Sequence, residues 1–425
     1  MAKAGAVRYD PPPMSILNLR SRRAAIGFIF VTAVLDIVAM GIVIPVLPSL
    51  IEGFVGSNAR AGAINGLFVA LWAGAQFICS PIIGSLSDRY GRRPVILLSC
   101  AGLSLDYVLM ALAPNLWWLA VGRILAGVTS SSFTTIYAYM ADVTEPEKRA
   151  RAYGLIGAAF SFGFVLGPAL GGFLGEFDPR LPFWAAAGMS GIAFLYGLFV
   201  LPESLKVENR MAFSWRRANP VGAMVLLLRH RELTGLAGVT FLLHFAHHVF
   251  SVIFVLYASH RYGWGPREVG FLLAAVGVLD MAVQGLATGP VVKALGDRRT
   301  MVLGLTCGAI GIAIMGWAPN GLWFCLAMLP NALWGLAMPT LQSLMTRRVG
   351  EDEQGQLQGA TMSVASIAGV ASPLFFGWVY TLTAGDGAAP WRSGIGFFIA
   401  AGVLATAAFI AVIIAHRDKT APALT

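Results

Sequence analysis

Residues 84–94 read GSLSDRYGRRP, an island of charge and glycine between two apolar runs. The flanking runs, 62–83 and 95–113, each approach the length of about 20 apolar residues that a helix needs to cross a bilayer core. The island is therefore expected to be a short loop joining two membrane helices. Its Asp88, Arg89, Arg92 and Arg93 place it at the water boundary, because hydrocarbon satisfies neither a turn nor a cluster of charges. Gly84 is expected to let two helices approach closely, and Asp88 to meet a helix N-terminus or the neighbouring arginines. A plain positively charged anchor accounts for the arginines alone and gives no reason for Gly84, Asp88 and Gly91.

Composition agrees with that reading. Of 425 residues, 57% are hydrophobic and only 12% charged, against about 25% charged in soluble globules. With a mean hydropathy of +0.72, the chain is expected to be an all-α polytopic membrane protein. The net charge of +9 does not point to nucleic acid, because the basic residues fall in short clusters between apolar spans and form no patch with interleaved aromatics. Cys79, Cys100, Cys307 and Cys325 lie in or at the ends of apolar runs without C-x-x-C spacing, which indicates neither a disulfide framework nor a zinc site. The polar, proline-rich start MAKAGAVRYDPPP precedes an apolar run too long for a cleaved leader, so it is expected to remain as a cytoplasmic arm.

Twelve spans are expected, near 24–50, 62–84, 95–113, 116–140, 152–175, 182–202, 233–258, 267–291, 300–318, 321–345, 356–382 and 393–415. Lys and Arg concentrate in alternate connections, including 84–94, 148–151, 206–231 and 293–299, which puts both termini on the cytoplasmic side. The chain also repeats at half its length: RRPVILLSCAG from Arg92 answers RRTMVLGLTCG from Arg298, and the Ala113-Pro-Asn triplet returns at Ala318. Two six-helix bundles follow, 24–202 and 233–416, between tails 1–23 and 417–425. The linker 203–232 ends in an amphipathic stretch from Val221, expected to lie in the interface as a helix.

A few polar side chains inside the spans are candidates for function. Asp36 lies about half-way through the first span, where a carboxylate costs about 2.5–3.5 kcal/mol on insertion scales and is expected to face a cavity or partner. Burial disfavours the charged form of a carboxyl, which suits a reversible proton carrier. Asp106 in the third span invites the same argument, with hydration near the outer interface as the alternative. Arg123 in the fourth demands an anionic neighbour, either Asp36 or Asp106. In the fifth span, Gly163, Gly167, Gly171 and Gly175 fall at intervals of four and make a bare face for tight helix contact, with Pro168 bending the segment. Asp280 stands in GVLDMAVQG, and His244, His247 and His248 share one face of the seventh span. A zinc site there lacks a fixed fourth ligand, and a cavity wall is the plainer reading. Tyr137, Phe160, Phe164, Phe250, Trp334, Met338 and Phe375 are candidates for lining a pocket.

The pattern G-x-L-x-D-R-x-G-R-R at 84–93 closely resembles the signature loop of the major facilitator superfamily, the twelve-helix secondary transporters. The resemblance implies that this loop ties helices 2 and 3 and latches the halves on the cytoplasmic side, with Asp142 and Arg149 joining the lock. It implies proton coupling for Arg123, which sits in a matching R-x-x-x-G setting. Gly154, Gly163, Gly167, Pro168, Gly171 and Gly172 match the motif associated with antiporters, and so with export.

The stretches GRRPVILLSCAGLSLDY, AYMADVTEPEKRARAYG and GQLQGATMSVASIAGVASPLFF are similar to those of the tetracycline/proton antiporters. By position, Asp36, Asp106, Arg123, Asp88 and Gln76 match residues of that branch. Asp280 stands where the branch has a helix-8 histidine, and Gly308 where it has a helix-9 aspartate, a departure that argues against tetracycline itself.

The combined expectation is a proton-coupled antiporter of the bacterial inner membrane exporting amphipathic, mostly apolar or cationic small molecules. Proton coupling falls to Asp36, Asp106, Arg123 and Asp280. Substrate contacts fall to Gln76, Tyr137, Phe160, Phe164, His244, His248, Gln284, Asn331, Trp334 and Met338. The alternative is a proton symporter or facilitator for a small metabolite. No nucleophile with its base and no phosphate-binding loop appears, so neither enzymatic activity, a cofactor nor a bound metal is expected. The partners are the substrate, protons and lipid, without nucleic acid, and a monomer suffices.

Overall fold

The computed structural model describes residues 16–130, 133–145, 148–213, 226–227, 231–350, 353–385 and 388–420, which are helical almost throughout and include no strand. Among the described residues eleven helices are long and apolar enough to cross a membrane, and one of them, Pro266–Trp317, has 52 residues. At 1.5 Å per residue that is about 78 Å, more than two bilayer cores. Gly296, with φ 75° and ψ 161°, breaks it into two crossings, so the chain crosses twelve times.

In the first half, α1 is Ile16–Val43, continued past a turn at Pro45 by Leu47–Val55. Next come α2 (Asn58–Tyr90), α3 (Arg92–Ala111) and α4, made of Leu116–Ser130 and Phe133–Val143. The half ends with α5 (Arg149–Phe177) and α6 (Leu181–Val200). In the second half, α7 is Arg231–Tyr262, and α8 starts at Pro266 and runs through a π-helical segment, Val283–Ala287, to the break at Gly296. Beyond it, α9 ends at Trp317. The tenth crossing, α10, is Gly321–Ala332, a 3-10 turn Leu333–Leu336 and Ala337–Thr346. The last two are α11 (Gln354–Thr383) and α12 (Ile395–Thr420). Large apolar side chains such as Trp117 and Phe199 stand on the outside of the bundle, where lipid covers what water would expose. The expected interfacial helix after Val221 lies mostly outside the described residues.

One expectation needs correcting. Residues 84–94 are not a loop of that length: α2 continues to Tyr90 and α3 starts at Arg92, leaving Gly91 alone as the turn. Its φ of 108° is a conformation that side chains other than hydrogen resist, and this gives that glycine its reason.

The halves meet through two crossed pairs, α2 with α11 and α5 with α8. Both pairs touch at the same end of the molecule, the end of the 56–58 and 178–180 connections. There Gly66 of α2 lies against the Pro373 carbonyl and Gly377 of α11, and Gly172 of α5 lies against Pro266 and Gly270 of α8. Asn65, nearly fully buried, donates to the carbonyls of Ser251 (3.2 Å) and Val252 (2.8 Å) on α7. The Tyr380 hydroxyl donates to Asn58 Oδ1 at 2.7 Å, and Arg267 pairs with Glu176 at 3.3 Å across the seam. At the opposite end, Gly84 on α2, Gly154 and Gly157 on α5, and Gly285 and Gly289 on α8 would meet nothing within 4 Å if given a Cβ. The close contacts between the halves named here are thus concentrated at one mouth, and these glycines of the other, the mouth of the Gly91 turn, border open space.

Candidate functional site

In the first half, α1, α3 and α4 bring an acidic cluster together. Asp36 is 5% exposed and Asp106 is fully buried, which removes the alternative of a hydrated Asp106 near the interface. The Cys100 thiol donates to Asp36 Oδ2 at 3.8 Å, while Asp36 Oδ1, both Asp106 oxygens and Arg123 Nε find no hydrogen-bond partner in the protein. Arg123 interacts electrostatically with Asp106 and Tyr107, and Tyr107 with both carboxyls, so the anionic neighbour of Arg123 is Asp106 rather than Asp36. Gly122 makes this possible, because a Cβ there would stand 2.8 Å from Asp106 Oδ1. The Arg123 guanidinium also lies 5.8 Å from the ring centre of Trp72 on α2, a partner that sequence reasoning missed.

The glycine stripe explains how α1 is held. Gly163 lies against Ile37, Gly167 against Gly41 and Gly171 under the Ile42 carbonyl, while Pro168 and Gly172 face Gly270 and Pro266 of α8. A Cβ at Gly163 or Gly167 would come within 2.6 Å of α1, so the stripe seats the helix bearing Asp36 against α5 at backbone distance. Gly154 takes no part: it is exposed, and a Cβ there would meet nothing within 4 Å.

The second half presents a different chemistry. Asp280 is half-buried on α8, three residues before the π-helical segment that holds Gln284. Gln284 reaches Gly335 in the 3-10 turn of α10, so the two distorted segments lie side by side, a common sign of a functional position. On α7, His244 Nδ1 is 2.8 Å from the Thr240 carbonyl, and His248 Nδ1 has no hydrogen-bond partner. His248 borders Gly369 of α11, where the seal between the halves starts. Trp334 is buried against Gly308, the half-buried Asn331 lies against Gly311, and Asn331 Oδ1 has no hydrogen-bond partner. Among the described residues no cluster of His, Cys, Asp or Glu is suited to a metal ion.

The remaining candidates divide. Tyr137 and Phe164 are exposed, with Tyr137 edge-on to Tyr153 at 5.6 Å. Gln76 and Met338 are half-buried, and the partly buried Phe160 packs beside Ile37 and Ala159. Around the Gly91 turn, Arg92 pairs with Asp88 and, at 3.3 Å, with Asp142. Its backbone N–H donates to Glu203 at 2.9 Å, and Arg93 donates to the Leu198 carbonyl at 2.8 Å. Among the described residues these partners lie in the first half or, for Glu203, at the start of the linker behind it, so the expected latch braces its own side of the molecule here, and Gly84 borders open space. Arg89 lies over the Tyr90 ring, and the Arg149 side chain lies outside the described residues.

Residues 29–234 and 236–424 each match the Major Facilitator Superfamily. The chain is 37% identical to the class C tetracycline resistance protein of Escherichia coli over 353 residues, 83% of this chain and 89% of that one. It is 28% identical to multidrug resistance protein 2 of Bacillus subtilis (strain 168), covering 81% of this chain and 85% of that one. Among solved structures, a bacterial homologue of the human lysosomal transporter Spinster, inward-facing and unoccupied, superposes with a TM-score of 0.77 at 14% identity, covering 95% of this chain and 99% of that one.

Proposed function

Because the chain belongs to the major facilitator superfamily, a family of membrane transporters and not of enzymes, we propose that it exports amphipathic, drug-like small molecules in exchange for protons by alternating access. The observation that carries this reading is the pair of carboxyls inside the spans, Asp36 and Asp106, buried with Asp36 Oδ1 and both Asp106 oxygens unpartnered, Asp106 beside Arg123. A buried polar atom left without a partner is costly, and here the partner is a proton that comes and goes. Export rather than uptake is favoured by the resistance proteins among its relatives.

The mouth that stands open carries the basic connections, so it faces the cytoplasm and the seal at Asn65 and Tyr380 faces outward. Substrate enters the hollow from the cytoplasm, and the halves then rock so that the outer seal parts and the Gly91 end closes. Proton uptake by Asp36 or Asp106 accompanies release and resets the cycle, with Arg123 stabilising whichever charge remains. The protein works as a monomer in the bacterial inner membrane with both tails in the cytoplasm, and has no nucleic-acid partner.

The test is everted membrane vesicles with a pH-sensitive dye. Asp36→Asn is expected to abolish substrate-driven proton movement while the protein remains in the membrane, and unchanged proton movement overturns the coupling assignment.

A further inference from the structure

The imidazoles of α7 meet an aromatic wall that the proton chemistry leaves unused. The His247 ring lies edge-on to Trp334 (5.6 Å, 69°) and 6.1 Å from Phe250, which lies 6.4 Å from Trp334. Three rings from α7 and α10 thus form a corner. Trp334 and Phe250 are turned inward, while His247 remains exposed in the middle of a spanning helix. A polar ring exposed at that depth among aromatics of its own bundle faces the hollow between the halves and not lipid. Within one helical turn of the corner are two hydrogen-bonding atoms without partners, His248 Nδ1 and Asn331 Oδ1.

We propose that His247, Trp334 and Phe250 form a substrate subsite that takes a flat, uncharged aromatic part of the exported molecule bearing an N–H or O–H donor. The chemistry follows from what the corner offers. Ring faces and edges at steep mutual angles favour another ring, which gains stacked and edge contacts at once. Asn331 Oδ1 can only accept, so it asks the ligand for a donor. No carboxylate makes a contact with the three rings, so the rings themselves ask for an uncharged partner, and a cationic group has better company near Asp36, Asp106 or Asp280, one turn before Gln284. The inference rests on the export reading, since it names part of the cargo, but its test is a binding measurement that does not require transport.

The probe is Hoechst 33342, a flat aromatic dye with an N–H that brightens on entering an apolar site, titrated into the purified full-length protein. Tetraphenylphosphonium, a propeller-shaped cation without a donor, is the comparison ligand. Trp334→Leu is expected to weaken Hoechst binding by about tenfold, with Trp334→Phe recovering most of the loss and Asn331→Leu also weakening it. Tetraphenylphosphonium binding should be unchanged in all three variants, which also shows that each has folded. Equal loss of both ligands in Trp334→Leu, or loss of neither, overturns the subsite. If the subsite behaves as stated while vesicles show no proton-coupled export, the export reading fails and the binding assignment stands.

Discussion

Each half turns the chain at its open end on a single glycine, and the ion pairs that brace the two turns run in opposite senses. In the first half Gly91 has φ 108°, and Arg92, at the start of α3, pairs with Asp142 at the end of α4 at 3.3 Å. In the second, Gly296 has φ 75°, and Asp297, at the start of α9, pairs with Arg347 at the end of α10 at 2.8 Å. Each carboxylate also accepts from a serine: Ser204 to Asp142 at 3.0 Å and Ser343 to Asp297 at 3.2 Å. Each turn is thus braced by an ion pair between the start of one helix and the end of the next, with the charges exchanged, although the repeat sets Arg92 against Arg298 and not against Asp297. Such a turn needs an opposite pair to brace two helix ends and is indifferent to which helix supplies which sign.

The central helices differ in kind, not in sign. In the same register, α1 carries Asp36 and α7 carries three imidazoles one to two turns further on. The seams behind them differ as well. Gly171 lies under the Ile42 carbonyl, whereas its counterpart in the repeat is Phe376, fully buried and 5.6 Å from the Phe245 ring. The first half brings its acid-bearing helix in at backbone distance, and the second holds its histidine-bearing helix off with rings packed at 48–51° to one another. This division suits a transporter whose proton chemistry is dry and tightly packed while its cargo is met by a wider, aromatic wall.

The largest expected effect tests that division. Arg123→Leu leaves Asp106 buried without an opposite charge, which costs about 3–5 kcal/mol, and proton-coupled exchange in vesicles should fall by about a hundredfold or more. Asp106→Asn combined with Arg123→Leu should return the protein to the membrane in normal amount without restoring exchange. His244→Gln in the second half should leave proton movement intact. If the histidine variant uncouples the protein as fully as Arg123→Leu does, the two halves are not divided in this way.

The seams come next. Phe376→Ala is expected to cost about 3–5 kcal/mol by opening a cavity among Phe245 and Phe375. Gly171→Val is expected to cost about 1–3 kcal/mol by overpacking against α1. The thermal midpoint of purified protein should fall in both, more for the phenylalanine. A Gly171→Val protein as stable as the parent would show that the stripe does not seat α1.

Which of these features could be read beforehand follows from their physics. Twelve crossings, the half-length repeat and the depth of Asp36 are matters of hydropathy and length, and apolar runs of bilayer length have few other uses. The glycine stripe was visible as a bare face because its period is helical. The single-residue turn was not, since charge in 84–94 looks the same whether its backbone is loop or helix end. Asp106 as the neighbour of Arg123, Trp72 beneath its guanidinium and the polar seal at Asn58, Asn65 and Tyr380 are contacts between distant spans, and periodicity along one span carries no information about another. For Asn65 the sequence does carry a signal: an amide in the middle of AINGLF is costly in hydrocarbon unless another span supplies its hydrogen bonds.

The smallest effect belongs to the turns, and it separates their two geometries. The Arg92 and Asp142 side chains are 11% and 24% exposed, while Arg347 is 71% exposed although Asp297 is only 10%. Water therefore screens the second pair more than the first. A double-mutant cycle on unfolding should give a coupling of about 1 kcal/mol for Arg92 with Asp142 and a few tenths for Asp297 with Arg347. The reversed pair Arg92→Asp with Asp142→Arg should recover most of what either single change loses, because the second half shows that the scaffold accepts that polarity. If the reversed pair is no better than its single variants, the first turn depends on the guanidinium at Arg92 in particular, through its further bonds to Asp88 and Ser87, and the likeness between the two turns is one of shape alone.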